Sequence, residues 1–412
     1  MSATENRKYD VIVWGATGFT GALVAEYLVE RYGTDGDVAW AIAGRNADKL
    51  AALKKTLGSR ADTLDVLTAD SHDVDSLDQL TRATRVVCTT VGPYAKYGSE
   101  LVAACARNGT HYCDLAGEVP WMREMIDTHS SAAEASGARI VHCCGFDSIP
   151  SDMGVYFAQR EARERFGEPF VEIALLVRAI RGAASGGTVA SLLGVVEAAT
   201  KNRDTARVVV HPYSLNPDGE RQGPDGRDQR GSEYNDIANA WTAPFVMAQI
   251  NTKVVRRSNA LLGFPYGREF RYSESTMTGS GLPGWLKASA VSLGLGGFML
   301  AAAVGPLRSL LNKTVLPQPG EGPDEKAREA GFFNLLLYGK RSSGEVVRTR
   351  VTGDRDPGYG STSKMLAEAA VCLAKDQTAS AAGGFWTPAS ALGDSLITRL
   401  EENAGLSFEF DV

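Results

Sequence analysis

The chain has 412 residues, 44% hydrophobic and 22% charged, the composition of a folded globular protein with room for two or three domains and not of a disordered or fibrous chain. Net charge is −6 and no Lys/Arg run is long enough to neutralise a row of phosphates, which excludes nucleic acid as an expected partner. The polar start MSATENRKYD lacks the apolar core and cleavage site of a secretory signal, so a cytoplasmic protein is expected.

From Tyr9 to Cys144 apolar runs alternate with helical periodicity. Strands are predicted over Tyr9–Trp14, Val38–Ala43, Thr63–Thr68, Arg85–Val91, His111–Leu115 and Arg139–Cys144. Helices are predicted over Gly18–Arg31, Ala47–Leu57, Val74–Ala83, Ser99–Asn108 and Val119–Ala135. Parallel strands need crossover connections, so this rhythm implies a doubly wound parallel sheet, a Rossmann α/β domain over residues 1–150.

After Pro150 the rhythm changes. Helices near Ser151–Arg165 and Thr188–Thr200 flank a strand at Val171–Ala179; Asn216–Ser232 reads as an exposed loop, and Glu269–Met277 and Phe332–Val351 as antiparallel strands. This suggests a second, α+β domain over 151–355 for substrate or dimer contacts, with helices at 356–412 packing back on the first domain. Ala288–Leu307 carries no charge over 20 residues, long enough for a spanning helix, but its glycines and Pro306 equally suit a buried helix pair, a dimer face or a hairpin at a membrane surface. The six cysteines (Cys88, Cys105, Cys113, Cys143, Cys144 and Cys372) form no CxxC pair and have no His at metal-ligand spacing; they read as reduced core residues, and no metal site is expected.

The richest chemical signal is GATGFTG, set between the strand YDVIVW and the helix ALVAEYLVERY. A glycine turn there presents backbone N–H groups and the positive end of a helix dipole to a pyrophosphate. Gly15, Ala16, Thr17, Gly18, Phe19, Thr20 and Gly21 are the expected cradle, in a GxxGxxG variant of the dinucleotide fingerprint. At the end of the second strand Gly44 is followed by Arg45, with Lys49 one turn on; a cation where NAD sites carry an acid favours NADP(H). Asp70 is a candidate for the adenine side or simply a helix cap. Gly92, Pro93 and Tyr94 end the fourth strand where a nicotinamide would lie, and the Tyr94 hydroxyl is either structural or a proton donor. No Tyr precedes a Lys by four residues, and GxSxG, HExxH and Walker A motifs are absent, so short-chain dehydrogenase, hydrolase, zinc peptidase and ATPase readings lack support.

YDVIVWGATGFTG, AIAGRN, VGPYAKYGSELVAACARNGTHYCDLAGE, CCGFDSIPSDMG and DPGYGSTSKML together resemble the saccharopine dehydrogenase-like superfamily, most closely the branch holding the mycobacterial trans-acting enoyl reductases. The resemblance implies a Rossmann domain, an inserted domain that often dimerises, and NADPH-dependent reduction of carrier-bound enoyl thioesters in polyketide or glycolipid assembly, at the inner face of the plasma membrane if the uncharged segment meets lipid. It supplies no acid or base to carry over. Tyr94, Ser148 and Tyr266 are candidate donors to the thioester oxygen, and Ala288–Leu307 a candidate lipid wall. The rivals are a saccharopine-type reductase, whose carboxylates would need arginines such as Arg178, Arg181, Arg256, Arg257, Arg268 and Arg271, and a non-catalytic NADP-binding sensor.

Overall fold

A computed structural model describes residues 7–182, 185–314, 322–376, 380 and 382–411. The polar lead-in before Arg7 lies outside these. The first unit alternates β1 (Tyr9–Trp14), α1 (Phe19–Tyr32), β2 (Trp40–Gly44), α2 (Ala47–Thr56), β3 (Asp65–Thr68), α3 (Val74–Ala83) and β4 (Thr84–Thr89). It continues through α4 (Tyr94–Tyr97), α5 (Ser99–Asn108), β5 (His111–Cys113), α6 (Val119–Ser136) and β6 (Arg139–Val141). β1 and β2 are buried along their whole length, as expected of central strands covered on both faces.

The second unit opens with α7 (Ile149–Phe166), β7 (Glu172–Arg181), α8 (Gly186–Lys201) and α9 (Arg203–Val210). β8 (Glu233–Asn235), β9 (Ala240–Pro244), α10 (Ala248–Leu261), β10 (Arg271–Gly279), α11 (Gly281–Ala303), α12 (Gly305–Thr314) and α13 (Glu325–Glu329) follow. The hairpin β11 (Phe332–Lys340) and β12 (Val346–Gly353) then leads to α14 (Thr362–Lys375), β13 (Gly384–Trp386), α15 (Pro388–Asn403) and β14 (Leu406–Phe410).

The first sheet has the order β13-β6-β5-β4-β1-β2-β3 with every pairing parallel, a Rossmann-like sheet carrying one extra edge strand. The second has the order β14-β12-β11-β7-β10-β9-β8; β7 and β10 pair in parallel, the rest antiparallel. The C-terminal segment is more than the helices expected from sequence, because β13 extends the first sheet and β14 the second. Strands of three and five residues are too short to show periodicity. One continuous core runs from Val11 and Val13 through Met153, Met365 and Leu396 to Leu337 and Val351, so the two sheets share their buried surface. All six cysteines are buried and free.

The uncharged segment departs from the buried reading: residues 288–303 lie in α11 and 305–307 open α12. It forms most of one 23-residue helix, α11, whose most apolar stretch is largely uncovered: Leu293 is 77% exposed and Leu300 72%, while Ala288 and Ala302 face inward.

A buried carboxylate ties α1 to the C-terminal helices. The fully buried Glu368 of α14 accepts from the hydroxyls of Tyr27 and Tyr32 on α1 (both 2.7 Å) and from Arg399 and Asn403 of α15 (both 3.2 Å). Removing it leaves buried donors unsatisfied. Glu368→Ala should therefore cost about 3 kcal/mol in denaturant unfolding; an unchanged midpoint would show that this carboxylate does not hold α1 in place.

Candidate active site

In a doubly wound sheet the crossovers leave opposite ways at the point where strand order reverses, opening a crevice at the carboxyl ends of the strands. Here that point lies between β1 and β4, and a cavity of about 480 Å³ opens there, within the range of small-molecule sites. The turns after β1, β4 and β6, the start of α8 and the turn before α14 all reach it.

The turn after β1 is built for close backbone approach. Gly15 has φ +85°, and a Cβ there would come within 2.4 Å of Val91 Cγ2; one on Gly21 would come within 2.2 Å of the Gly15 carbonyl oxygen. α1 thus begins directly over the end of β1. Its N-cap, Gly18, offers no side chain, which leaves first-turn N–H groups for a ligand. Ala16 is buried beneath the turn, Thr17 and Gly18 are exposed at its tip, and Phe19 and Thr20 stand on the cavity wall with Gly18.

Gly15 N–H donates to Ala43 O (3.0 Å), which brings the end of β2 alongside. Arg45, just beyond it, is exposed and makes no hydrogen bond or ion pair among the described residues. Lys49 is likewise exposed, on the first turn of α2, where its N–H is capped by Asn46. Asp70 follows β3 and its carboxylate accepts from His72 N–H (2.9 Å), a local turn contact.

Gly92, Pro93 and Tyr94 line the cavity together. The Tyr94 hydroxyl is already occupied, donating to Thr89 O (3.3 Å) and accepting from Leu115 N–H (3.1 Å). Burial pushes its phenol well above the ordinary value. Glu118 accepts from the N–H groups of Tyr94 and Ala95 and from the Ser191 hydroxyl, pinning α4 to α8. Tyr94 is therefore a wall residue whose hydroxyl donates to the main chain in this structure.

Asp114 shapes the loop after β6. Its carboxylate binds His142 Nδ1 (2.7 Å), Tyr112 OH (2.9 Å) and Cys143 N–H (3.1 Å), and so holds Cys143 at φ +66°, a conformation unfavourable to a residue with a Cβ. The reversal carries Gly145, Phe146 and Asp147 onto the cavity wall. Ser148, the expected donor, turns inward, 1% exposed, and donates to Asn251 Oδ1 (3.0 Å). Tyr266 is buried in the second unit, and neither residue lines the cavity. The neighbouring Asp147 does; sequence reasoning passed over it because nothing in CCGFDSIPSDMG tells which of two adjacent polar residues faces the crevice.

Nor does Ala288–Leu307 supply the lipid wall. That side is Leu192 and Val195 of α8, Val209 of α9, and Val246, Met247 and Ile250, while α11 packs on α8 from outside. The turn Pro357–Ser361 closes the cavity: Asp356 accepts from Tyr359 and Gly360 N–H, the Tyr359 ring meets Phe19 edge-on at 4.8 Å, and its hydroxyl accepts from Gly186 N–H (3.0 Å).

Residues 11–141 match the saccharopine dehydrogenase NADP-binding domain family. Trans-acting enoyl reductases of Mycobacterium ulcerans and Mycobacterium leprae are 36% and 37% identical to this chain, over 416 and 412 residues that span at least 96% of each sequence. The chain belongs to the trans-acting enoyl reductase branch of the saccharopine dehydrogenase-like family. A Mycobacterium tuberculosis member that carries the same name provisionally is 42% identical over 419 residues, 99% of each chain. Saccharopine dehydrogenase (L-Glu forming) from Saccharomyces cerevisiae shares the fold, with a TM-score of 0.52 at 13% identity over 98% of this chain and 100% of its own.

The protein is an NADP-dependent oxidoreductase. Its own residues fit that cofactor: a cradle that a Cβ would fill, an uncapped α1 terminus, and Arg45 where an acid would otherwise select NAD. A hydrogen bond to a charged group contributes about 1.5–3 kcal/mol, so Arg45→Ala should weaken NADPH binding about 10- to 100-fold in a fluorescence titration while NADH binding stays the same. Equal loss for both nucleotides would remove Arg45 from the 2′-phosphate.

Proposed function

We propose that this protein reduces the carbon–carbon double bond of an enoyl thioester presented on a carrier protein, in polyketide or glycolipid assembly. The observation that carries this reading is the chemistry of the cavity wall. Among the described residues that line it there is no Lys, Arg or His, and one carboxylate, Asp147; the remainder is apolar, small or neutral. Such a wall suits a neutral acyl chain. A saccharopine-type substrate needs Arg forks for its carboxylates, and the arginines considered for that role are elsewhere. Arg256 pairs with Asp225 (2.6 Å), Arg268 pairs with Glu220 (2.6 Å), and Arg257 donates to the carbonyls of Leu215 and Phe385. The names of the mycobacterial relatives support the same reading.

NADPH, when bound, supplies a hydride. The chain's own task is to hold the enoyl carbons against that donor, to exclude water, and to stabilise charge on the thioester oxygen. Tyr359 is suited to the last: its hydroxyl accepts from Gly186 N–H, and no acceptor takes its own proton among the described residues. It faces the cavity at the N-terminal end of α8, whose dipole favours negative charge.

The purified protein should consume NADPH with trans-2-enoyl pantetheine or carrier thioesters and not with a saccharopine precursor. The reverse preference would restore the amino-acid adduct reading, and tight NADPH binding without turnover across the panel would favour a sensor.

The uncovered face of α11, with Trp285, Leu286, Leu293 and Leu300 exposed, supports contact with a lipid surface at the inner face of the membrane. The protein should float with phospholipid vesicles, and Leu293→Glu with Leu300→Glu should abolish flotation without loss of NADPH binding. A lipid-independent dimer broken by the same substitutions would assign the face to a second copy instead.

A further inference from the structure

Among the described residues the cavity wall holds one carboxylate, and the proposed chemistry has not used it. Asp147 opens onto the cavity and is otherwise enclosed; its single hydrogen bond among the described residues comes from the Thr188 hydroxyl of α8 (3.4 Å), and no cation pairs with it. Thr188 and Gly186 lie two residues apart in the first turn of α8, and Gly186 N–H donates to Tyr359. Asp147 and Tyr359 therefore meet the same helical turn, one at each end of it. For a thioester whose oxygen lies at Tyr359, the carboxyl of Asp147 is the acidic group on the cavity wall next to that turn, and the proposal requires the α-carbon to lie on its side.

We propose, resting on the enoyl reductase reading, that Asp147 is the catalytic acid that protonates the substrate α-carbon. Two electrons and a hydrogen enter at the β-carbon as the hydride, and the nicotinamide is oxidised. The π pair moves to the α-carbon, which forms its new C–H bond with the proton of the Asp147 carboxyl. The carboxylate left behind is reprotonated by water at the cavity mouth, so each turnover consumes one NADPH and one proton.

Burial pushes the Asp147 carboxyl up to about 6, against the smaller opposing pull of the Thr188 hydroxyl. A carboxyl in that range is protonated below about pH 6 and keeps a minor protonated fraction at neutrality, where an ordinary aspartate keeps almost none. The other titratable groups on the cavity wall are Tyr94 of α4, Cys143 on the preceding loop and Tyr359 on the turn before α14, with Glu118 bound to α4. The phenol of Tyr94 and the thiol of Cys143 are both held well above their ordinary values and do not titrate in the same window.

The test uses the whole protein with NADPH and a trans-2-enoyl pantetheine thioester. Because the protonated form is the active one, wild-type kcat should fall about tenfold per pH unit above about 6. Asp147→Asn should lower kcat about 100-fold or more, erase that limb and keep NADPH affinity. Thr188→Val removes the bond that favours the carboxylate, so it should move the limb to higher pH. In D₂O the wild type should place deuterium on one face of the α-carbon and Asp147→Asn on both, a readout that a merely structural aspartate would not move. A variant with wild-type kcat, pH profile and single-face deuteration overturns the proposal alone. Absence of wild-type turnover on every enoyl thioester overturns the reading beneath it and the proposal together.

Discussion

The contact on which the cofactor half depends contains no side chain. Gly21 rests against the Gly15 carbonyl oxygen so closely that even a methyl group is excluded. This lets α1 start on top of β1 with its first N–H groups aimed into the crevice. The same placement fixes Tyr27 and Tyr32, and through Glu368 it fixes α14 and α15. α14 in turn carries the turn whose Tyr359 closes the cavity over Phe19. A backbone approach at one end of the chain thus determines the position of a side chain some 340 residues later.

The two sides of the cavity follow different physical rules. The side formed by the turn after β1 and the end of β2 consists of glycines, main-chain N–H groups and the exposed cations Arg45 and Lys49, an arrangement of fixed dipoles and charge suited to a pyrophosphate. The opposite side comes from α8, α9 and the start of α10, where apolar side chains make much of the shape. Its buried polar contacts, Asp114 with His142 and Glu118 with α4 and α8, hold loops in place and offer nothing to substrate. Position is thus held by Asp114 and Glu118 of the loop after β5, while the carboxylate that opens onto the cavity, Asp147, belongs to the loop after β6.

The Rossmann sheet was legible because its signals are local. Apolar runs of four to six residues, helices of regular period and a glycine turn each declare themselves without knowledge of what packs against them. β1, α3 and α5 have the boundaries that their periodicity implies. The glycine turn Gly15–Gly21 between β1 and α1 was legible for the same reason. The lining of the cavity was not, because a side chain's direction depends on long-range contacts. Ser148 and Asp147 are adjacent in sequence, yet the left-handed turn at Cys143, held by Asp114 from another strand, sends one to Asn251 and the other to the cavity. Sequence left Tyr94 open between a structural and a donor role because its hydroxyl's partners, Thr89 O and Leu115 N–H, cannot be read from its neighbours. The uncharged stretch of α11 was visible as a composition, but which of its faces is covered is a property of α8 and the second sheet.

β13 and β14 give the fold an unusual order of completion. Each sheet ends in an edge strand taken from residues 384–410, more than 200 residues after the last of the other Rossmann strands was made. During synthesis the N-terminal unit cannot finish its sheet as it emerges, as domains commonly do. It waits, with the edge of β6 open, until the substrate-side unit has been made and the chain returns. An unpaired edge strand is a template for other chains, so the interval between residue 141 and residue 384 is when this protein is most exposed to mispairing.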